Sequence, residues 1–153
     1  MEQSLILRPP SYVQTLNWAE VFPTAQPVEI ELGSGDGSFL ARYAQMHPER
    51  NFLGVERLLG RIRKIERKAS RAGLTNVRLM RIEASYFLEY LLPRNSVTAL
   101  HIYFPDPWPK RKHWKHRLIN AAFPALCARV LIPGGMVFVR TDDGLFPTDH
   151  FSI

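Results

Sequence analysis

Several acids and glycines in this chain stand where the holding of a nucleoside would need them. The segment Glu31-Leu32-Gly33-Ser34-Gly35-Asp36-Gly37 follows an apolar run and precedes a helical pattern. Glycines at alternate positions in a strand-to-helix turn let backbone press against a ribose or a phosphate. The pattern is not the dinucleotide fingerprint, in which the third small residue sits five positions after the first. Here that position is Ser38, and the third glycine comes one residue early, at Gly37. Nineteen residues after Gly37, a second apolar run ends in Glu56, a spacing that suits an acceptor for two ribose hydroxyls. A third run ends in Glu83-Ala84, where an adenine ring would lie. Glu83 could accept from the exocyclic amine or be a plain surface glutamate. Together these residues describe an adenosine pocket.

A different chemistry gathers after the fourth apolar run. His101-Ile102-Tyr103-Phe104-Pro105-Asp106-Pro107-Trp108 delivers one acid into a loop stiffened by prolines on both sides. From Trp108 to Arg117 come five Lys/Arg, two histidines and two tryptophans, with no acid. Cations neutralise phosphates and aromatic faces stack on unpaired bases, so this mixture suits a nucleic-acid surface. His113 and His116 have no convincing third and fourth metal ligand, so no metal site is expected. Residues 57–71 hold seven further Lys/Arg and one acid. Arg57, Arg61, Lys64, Lys68 and Arg71 fall on one helical face, beside an apolar stripe of Leu58, Ile62, Ile65, Ala69 and Ala72. That basic face reads equally as a solvated surface or as a contact for RNA.

The elements that must carry these residues alternate. Strands are expected at Val28–Leu32, Asn51–Val55, Val77–Ile82, Val97–Phe104 and Met136–Arg140. Helices are expected at Tyr12–Phe22, Gly37–His47, Leu58–Ala72, near Tyr86–Leu91 and over Lys115–Val130, with Pro124 starting or kinking the last. Strands alternating with helices imply an α/β fold with a mostly parallel sheet covered on both faces. Five strands are readable, and Met136–Arg140 is expected to present an unpaired edge.

Composition agrees. The chain has 153 residues, 46% hydrophobic and 22% charged, as in one ordinary globular domain. Lys+Arg 20 against Asp+Glu 14 gives +6, with a pI near 9.8, which hints at an anionic partner. The opening residues do not read as a signal peptide, and no stretch is apolar enough to span a membrane. The single Cys127 cannot form an internal bridge, which points to a reducing, cytoplasmic location. No obligatory protein partner is evident.

Two motifs are recognisable. Glu31-x-Gly33-x-Gly35-x-Gly37 resembles the first motif of S-adenosylmethionine-dependent methyltransferases. Phe104-Pro105-Asp106-Pro107-Trp108 followed by Lys110-Arg111-Lys112-His113 resembles the signature of bacterial tRNA (guanine-N7-)-methyltransferases. The likeness runs from about Trp18 to Leu145 and includes Arg140-Thr141-Asp142. It implies a Rossmann-like class I fold, S-adenosyl-L-methionine as cofactor and tRNA as partner, methylated at N7 of a variable-loop guanosine. By resemblance Gly33, Gly35, Gly37, Glu31, Glu56, Glu83 and Ala84 fall on cofactor-binding positions and Asp106 on the catalytic one. Lys110 and Asp142 match substrate-contacting positions, with Trp108, Arg111 and Lys112 beside them. The family has His where this chain has Pro109, and often Asp or Asn at Glu83. The last two strands of that fold and its C-terminal guanosine-holding loop have no readable counterpart. The expectation is therefore a single domain, an extension over residues 1–27 and a C-terminally incomplete core over 28–153. Two alternatives stay open: an exocyclic-amine methyltransferase, although Asp106-Pro107-Trp108-Pro109 lacks the adjacent prolines and tyrosine of that loop, and an impaired RNA-binding fragment.

Overall fold

The computed structural model describes residues 3–103, 118–140 and, as backbone, 150–152. Five strands run parallel: β1 (Val28–Leu32), β2 (Asn51–Val55), β3 (Val77–Met80), β4 (Val97–Tyr103) and β5 (Leu131–Arg140). A short β6 (His150–Ser152) pairs antiparallel with β5, Val137 opposite Phe151. The order across the sheet is β3-β2-β1-β4-β5-β6. β1 and β2 coincide with their apolar runs and are buried throughout, as strands covered on both faces must be.

The helices are α1 (Trp18–Val21), α2 (Ser38–Met46), α3 (Leu59–Arg71), α4 (Ala84–Tyr86), which continues into a π turn over Phe87–Leu91, and α5 (Phe123–Val130). One face of the sheet packs its Ile30, Leu53, Leu100 and Val137 against Phe87, Leu91, Phe123 and Cys127. On the other face Leu40, Ile62 and Ile65 from α2 and α3 cover Phe52, Val77 and Leu79 from β2 and β3. No described helix is long and apolar enough to cross a membrane.

Several expectations are corrected. β5 begins at Leu131, five residues early, because a register shift between Val97 and Ala99 absorbs Pro133-Gly134-Gly135 as a bulge. Its edge is paired with β6 at Met136–Phe138 rather than bare. The last helix does not run from Lys115: residues 118–122 are turn, and α5 starts at Phe123. Pro124 sits in the first turn, where no N–H is needed, and its ring would clash with a helical carbonyl at Asn120. The first helix shrinks to Trp18–Val21, and the third strand stops at Met80. Leu58 and Ala72 are exposed, so only Ile62, Ile65 and Ala69 of the expected stripe are buried.

Candidate active site

β1 is the point where the sheet changes direction, with β2 on one side and β4 on the other. Connections leave in opposite directions there, which opens a crevice at the carboxyl ends of the two strands, the usual ligand position in open α/β sheets. The glycine turn forms one lip. Gly33 N and Ser34 N both donate to Val55 O, at 2.8 and 2.9 Å, pinning the turn to β2. Gly33, Gly35 and Gly37 all have positive φ, +82°, +57° and +76°. A Cβ on Gly33 or Gly35 would meet nothing within 4 Å, so backbone is presented bare to the crevice. A Cβ on Gly37 would lie 2.6 Å from Ile65 Cγ1, so the third glycine serves the approach of α3. Lys68 of α3 closes the turn from outside, its Nζ donating to Asp36 O at 2.9 Å and Ser38 Oγ at 3.2 Å.

Glu31 lies in this crevice with 3% of its surface exposed. Among the described residues its Oε1 has no hydrogen-bond partner. Burial pushes its pKa up to about 8; a Ser34 hydrogen bond opposes the rise, and Asp36 and Glu56 add to it. A buried carboxyl oxygen left without a partner is costly, and a cation is the natural complement of the ionised group. Glu56, also buried, follows β2 directly; its Oε2 accepts from Leu58 N at 2.9 Å, and Arg61 stands 3.8 Å from Oε1. Glu83 is exposed and caps α4, accepting from Ser85 N at 3.1 Å, while Ala84 opens that helix and packs on the core. Glu31 thus stands in the last pleat of β1, and Glu56 and Glu83 stand just past the carboxyl ends of β2 and β3, the row expected for a nucleoside with a cationic end.

One group escaped the sequence reading. Glu29, His101, Tyr103 and Arg50 form a polar chain beneath α2. Glu29 Oε2 accepts from Arg50 at 3.0 Å, Glu29 Oε1 lies 2.7 Å from His101 Nε2, and His101 Nδ1 lies 2.8 Å from the Tyr103 hydroxyl. Burial would raise the Glu29 pKa, but His101 and Arg50 outweigh it and hold the carboxylate below its ordinary value. Burial first, and then the charge of Glu31, pushes the Tyr103 phenol up to about 12. The signal that could have found this chain is the presence of Glu29 and His101 inside otherwise apolar strands.

Arg61, Lys64 and Arg71 of α3 are exposed on the expected basic face, with Lys68 half-buried at its turn contacts. Asp106, Trp108, Lys110, Arg111, Lys112 and Asp142 lie outside the described residues.

Residues 25–152 match a family described as "Putative methyltransferase". A tRNA (guanine-N(7)-)-methyltransferase of Syntrophotalea carbinolica is 40% identical over 89% of this chain and 59% of its own length. One of Geobacter metallireducens is 38% identical over 89% of this chain and 64% of its own. This chain therefore spans about three-fifths of the length of those relatives. The 16S rRNA methyltransferase KamB shares the fold at a TM-score of 0.61 and 23% identity, over 80% of this chain and 55% of that one. With its glycine turn, its row of acids and a match over nearly its whole length, the chain belongs to this methyltransferase family.

Proposed function

We propose that the chain binds S-adenosylmethionine in the β1/β4 crevice and supplies the cofactor-binding part of a tRNA (guanine-N7-)-methyltransferase. The observation that carries this reading is the buried Glu31 carboxyl, its Oε1 without a hydrogen-bond partner among the described residues, beside glycine backbone open to a ligand, in a chain with 40% identity to such an enzyme. The cofactor, when bound, supplies an electrophilic methyl group on a sulfonium. Glu31 complements its cationic end, Gly33 and Gly35 admit it against backbone, and Glu56 accepts from the ribose hydroxyls. Glu83 and Ala84 stand by the adenine.

Guanine N7 carries an in-plane lone pair and loses no proton when methylated, so the reaction needs no general base. What the protein contributes is orientation and stabilisation of positive charge growing on the purine. Asp106 is suited to both, because a carboxylate accepts from the guanine N1–H and amino group and offsets the new charge. Lys110, Arg111 and Lys112 hold phosphates, Trp108 stacks on a splayed base, and Asp142 contacts the guanosine. A cytoplasmic location follows from a tRNA substrate.

The test gives the chain cofactor labelled in the methyl group and total tRNA, then identifies the labelled nucleoside. The expected product is 7-methylguanosine. Asp106→Asn should lower turnover about 100-fold, about 2.7 kcal/mol of transition-state stabilisation, with cofactor affinity unchanged. Label on an exocyclic amine, or cofactor binding with no label in RNA, overturns the N7 assignment. Failure to bind S-adenosylmethionine overturns the whole reading.

A further inference from the structure

The face of the sheet that packs on α2 and α3 is divided. Over β2 and β3 it is apolar, whereas over β1 and β4 it presents Glu29, Glu31, His101 and Tyr103. Glu29 and His101 are 4% and 3% exposed. A buried ionic chain seldom adds stability over apolar packing of the same volume, so its retention along a ligand crevice points to what it holds in place. It begins at Arg50, just before β2, and ends at Tyr103, the last residue of β4. Glu31 and His101 are register partners, so Tyr103 stands one pleat nearer the carboxyl end, on the same face.

With the His101 imidazole neutral, the hydrogens of the chain run in one direction. The Glu29 carboxylate can only accept, and Arg50 holds its other oxygen, so His101 Nε2 carries a hydrogen. In the neutral imidazole Nδ1 is then an acceptor and takes the hydrogen of the Tyr103 hydroxyl. The phenol oxygen is left with lone pairs alone for anything beside it. Phe39 meets the Tyr103 ring edge-on at 4.7 Å, and Phe138 stacks on His101 at 5.1 Å, which removes the freedom to turn away.

We propose that Tyr103 is a cofactor-binding residue that offers, with Glu31, a fixed acceptor oxygen to the cationic end of the cofactor, and that His101, Glu29 and Arg50 are the positioning residues that aim it. This rests on the S-adenosylmethionine reading above and adds to it residues outside the motifs.

Calorimetry with three ligands tests it. S-adenosylmethionine carries an ammonium and a sulfonium, S-adenosylhomocysteine only the ammonium, and 5′-methylthioadenosine neither. Tyr103→Phe keeps the ring and removes the oxygen. It should weaken S-adenosylmethionine about tenfold or more and leave methylthioadenosine unchanged. A matching loss for S-adenosylhomocysteine assigns the contact to the ammonium, and no loss assigns it to the sulfonium; either supports the proposal. Glu29→Gln tests the aiming without touching the crevice. Its amide can donate to Nε2, which moves the ring hydrogen to Nδ1 and turns the phenol hydrogen outward. The same ligand-selective loss is expected, and this variant decides the matter should Tyr103→Phe fail to fold. Unchanged affinity for S-adenosylmethionine, or an equal loss for all three ligands, overturns the proposal while the cofactor reading stands. A parent chain that binds none of them overturns the cofactor reading, and the proposal with it.

Discussion

Glu31 makes the folded chain hold a proton that the unfolded chain releases. An unfolded glutamate titrates near 4.5, whereas Glu31 in its crevice titrates at about 8. Between those values the folded state binds the extra proton, so rising pH favours unfolding. The contribution is fully present below about 4.5 and is lost as the pH climbs through about 8, at up to about 1.4 kcal/mol per pH unit. Glu31→Gln removes the titration and keeps the shape. Urea unfolding at steps from pH 5 to 8 should show the variant gaining on its parent as the pH rises; a gap that does not change with pH rules out a neutral buried carboxyl. Glu29 works in the opposite sense. Its carboxylate is held below its ordinary value against burial, by His101 and Arg50, so its contribution is present at neutral pH and fades as the pH falls through that lowered value. Neither behaviour was legible in the residues alone. Glu29 and His101 lie 72 positions apart, and only the pairing of β1 with β4 brings them together.

At the scale of elements, α3 serves two neighbours. Its buried side carries Ile65 against Gly37, and its charged side reaches the same glycine turn through Lys68. Gly37→Ala therefore meets both a left-handed backbone and a Cβ 2.6 Å from Ile65 Cγ1, and should cost about 2–4 kcal/mol of stability. Gly35→Ala meets open space and should cost about 1–2 kcal/mol from backbone alone. Equal losses in chemical denaturation would mean that α3 does not press on the turn. On the outer side, Lys64 and Arg71 are exposed. If both touch phosphate, changing them to Gln should lower the magnitude of the logarithmic salt slope for tRNA binding by about 1.4–1.8. An unaltered slope would make this face simply solvated. The bounds of α2 and α3 were legible within a residue or so, because glycine, proline and apolar spacing all mark them. The apolar spacing runs on across Pro124 and so predicts a start for α5 eight residues too early; the steric veto of the ring, not the spacing, sets that start.

At the scale of the whole chain the α/β fold is basic, at +6, and its positive residues are concentrated in α3 and the 108–117 segment. Its architecture was legible because mainly apolar runs, interrupted in β1 and β4 by Glu29, Glu31 and His101, alternate with helical patterns. β6 was not, since three residues are too few to show alternation. The place of β1 between the two wings of the sheet has a consequence in time. β1 meets β2 across a short span, Val28 with Asn51, but meets β4 across a long one, Glu29 with Ala99. Closing the longer loop costs more chain entropy before any contact is gained, and non-local pairing slows folding. Pulse-labelled hydrogen exchange during refolding should find amides of β1, β2 and β3 protected before those of β4 and β5; simultaneous protection would contradict this order. The crevice lies along the seam where the wings join, so the capacity to hold a ligand arrives with the last step of folding rather than with the glycine turn.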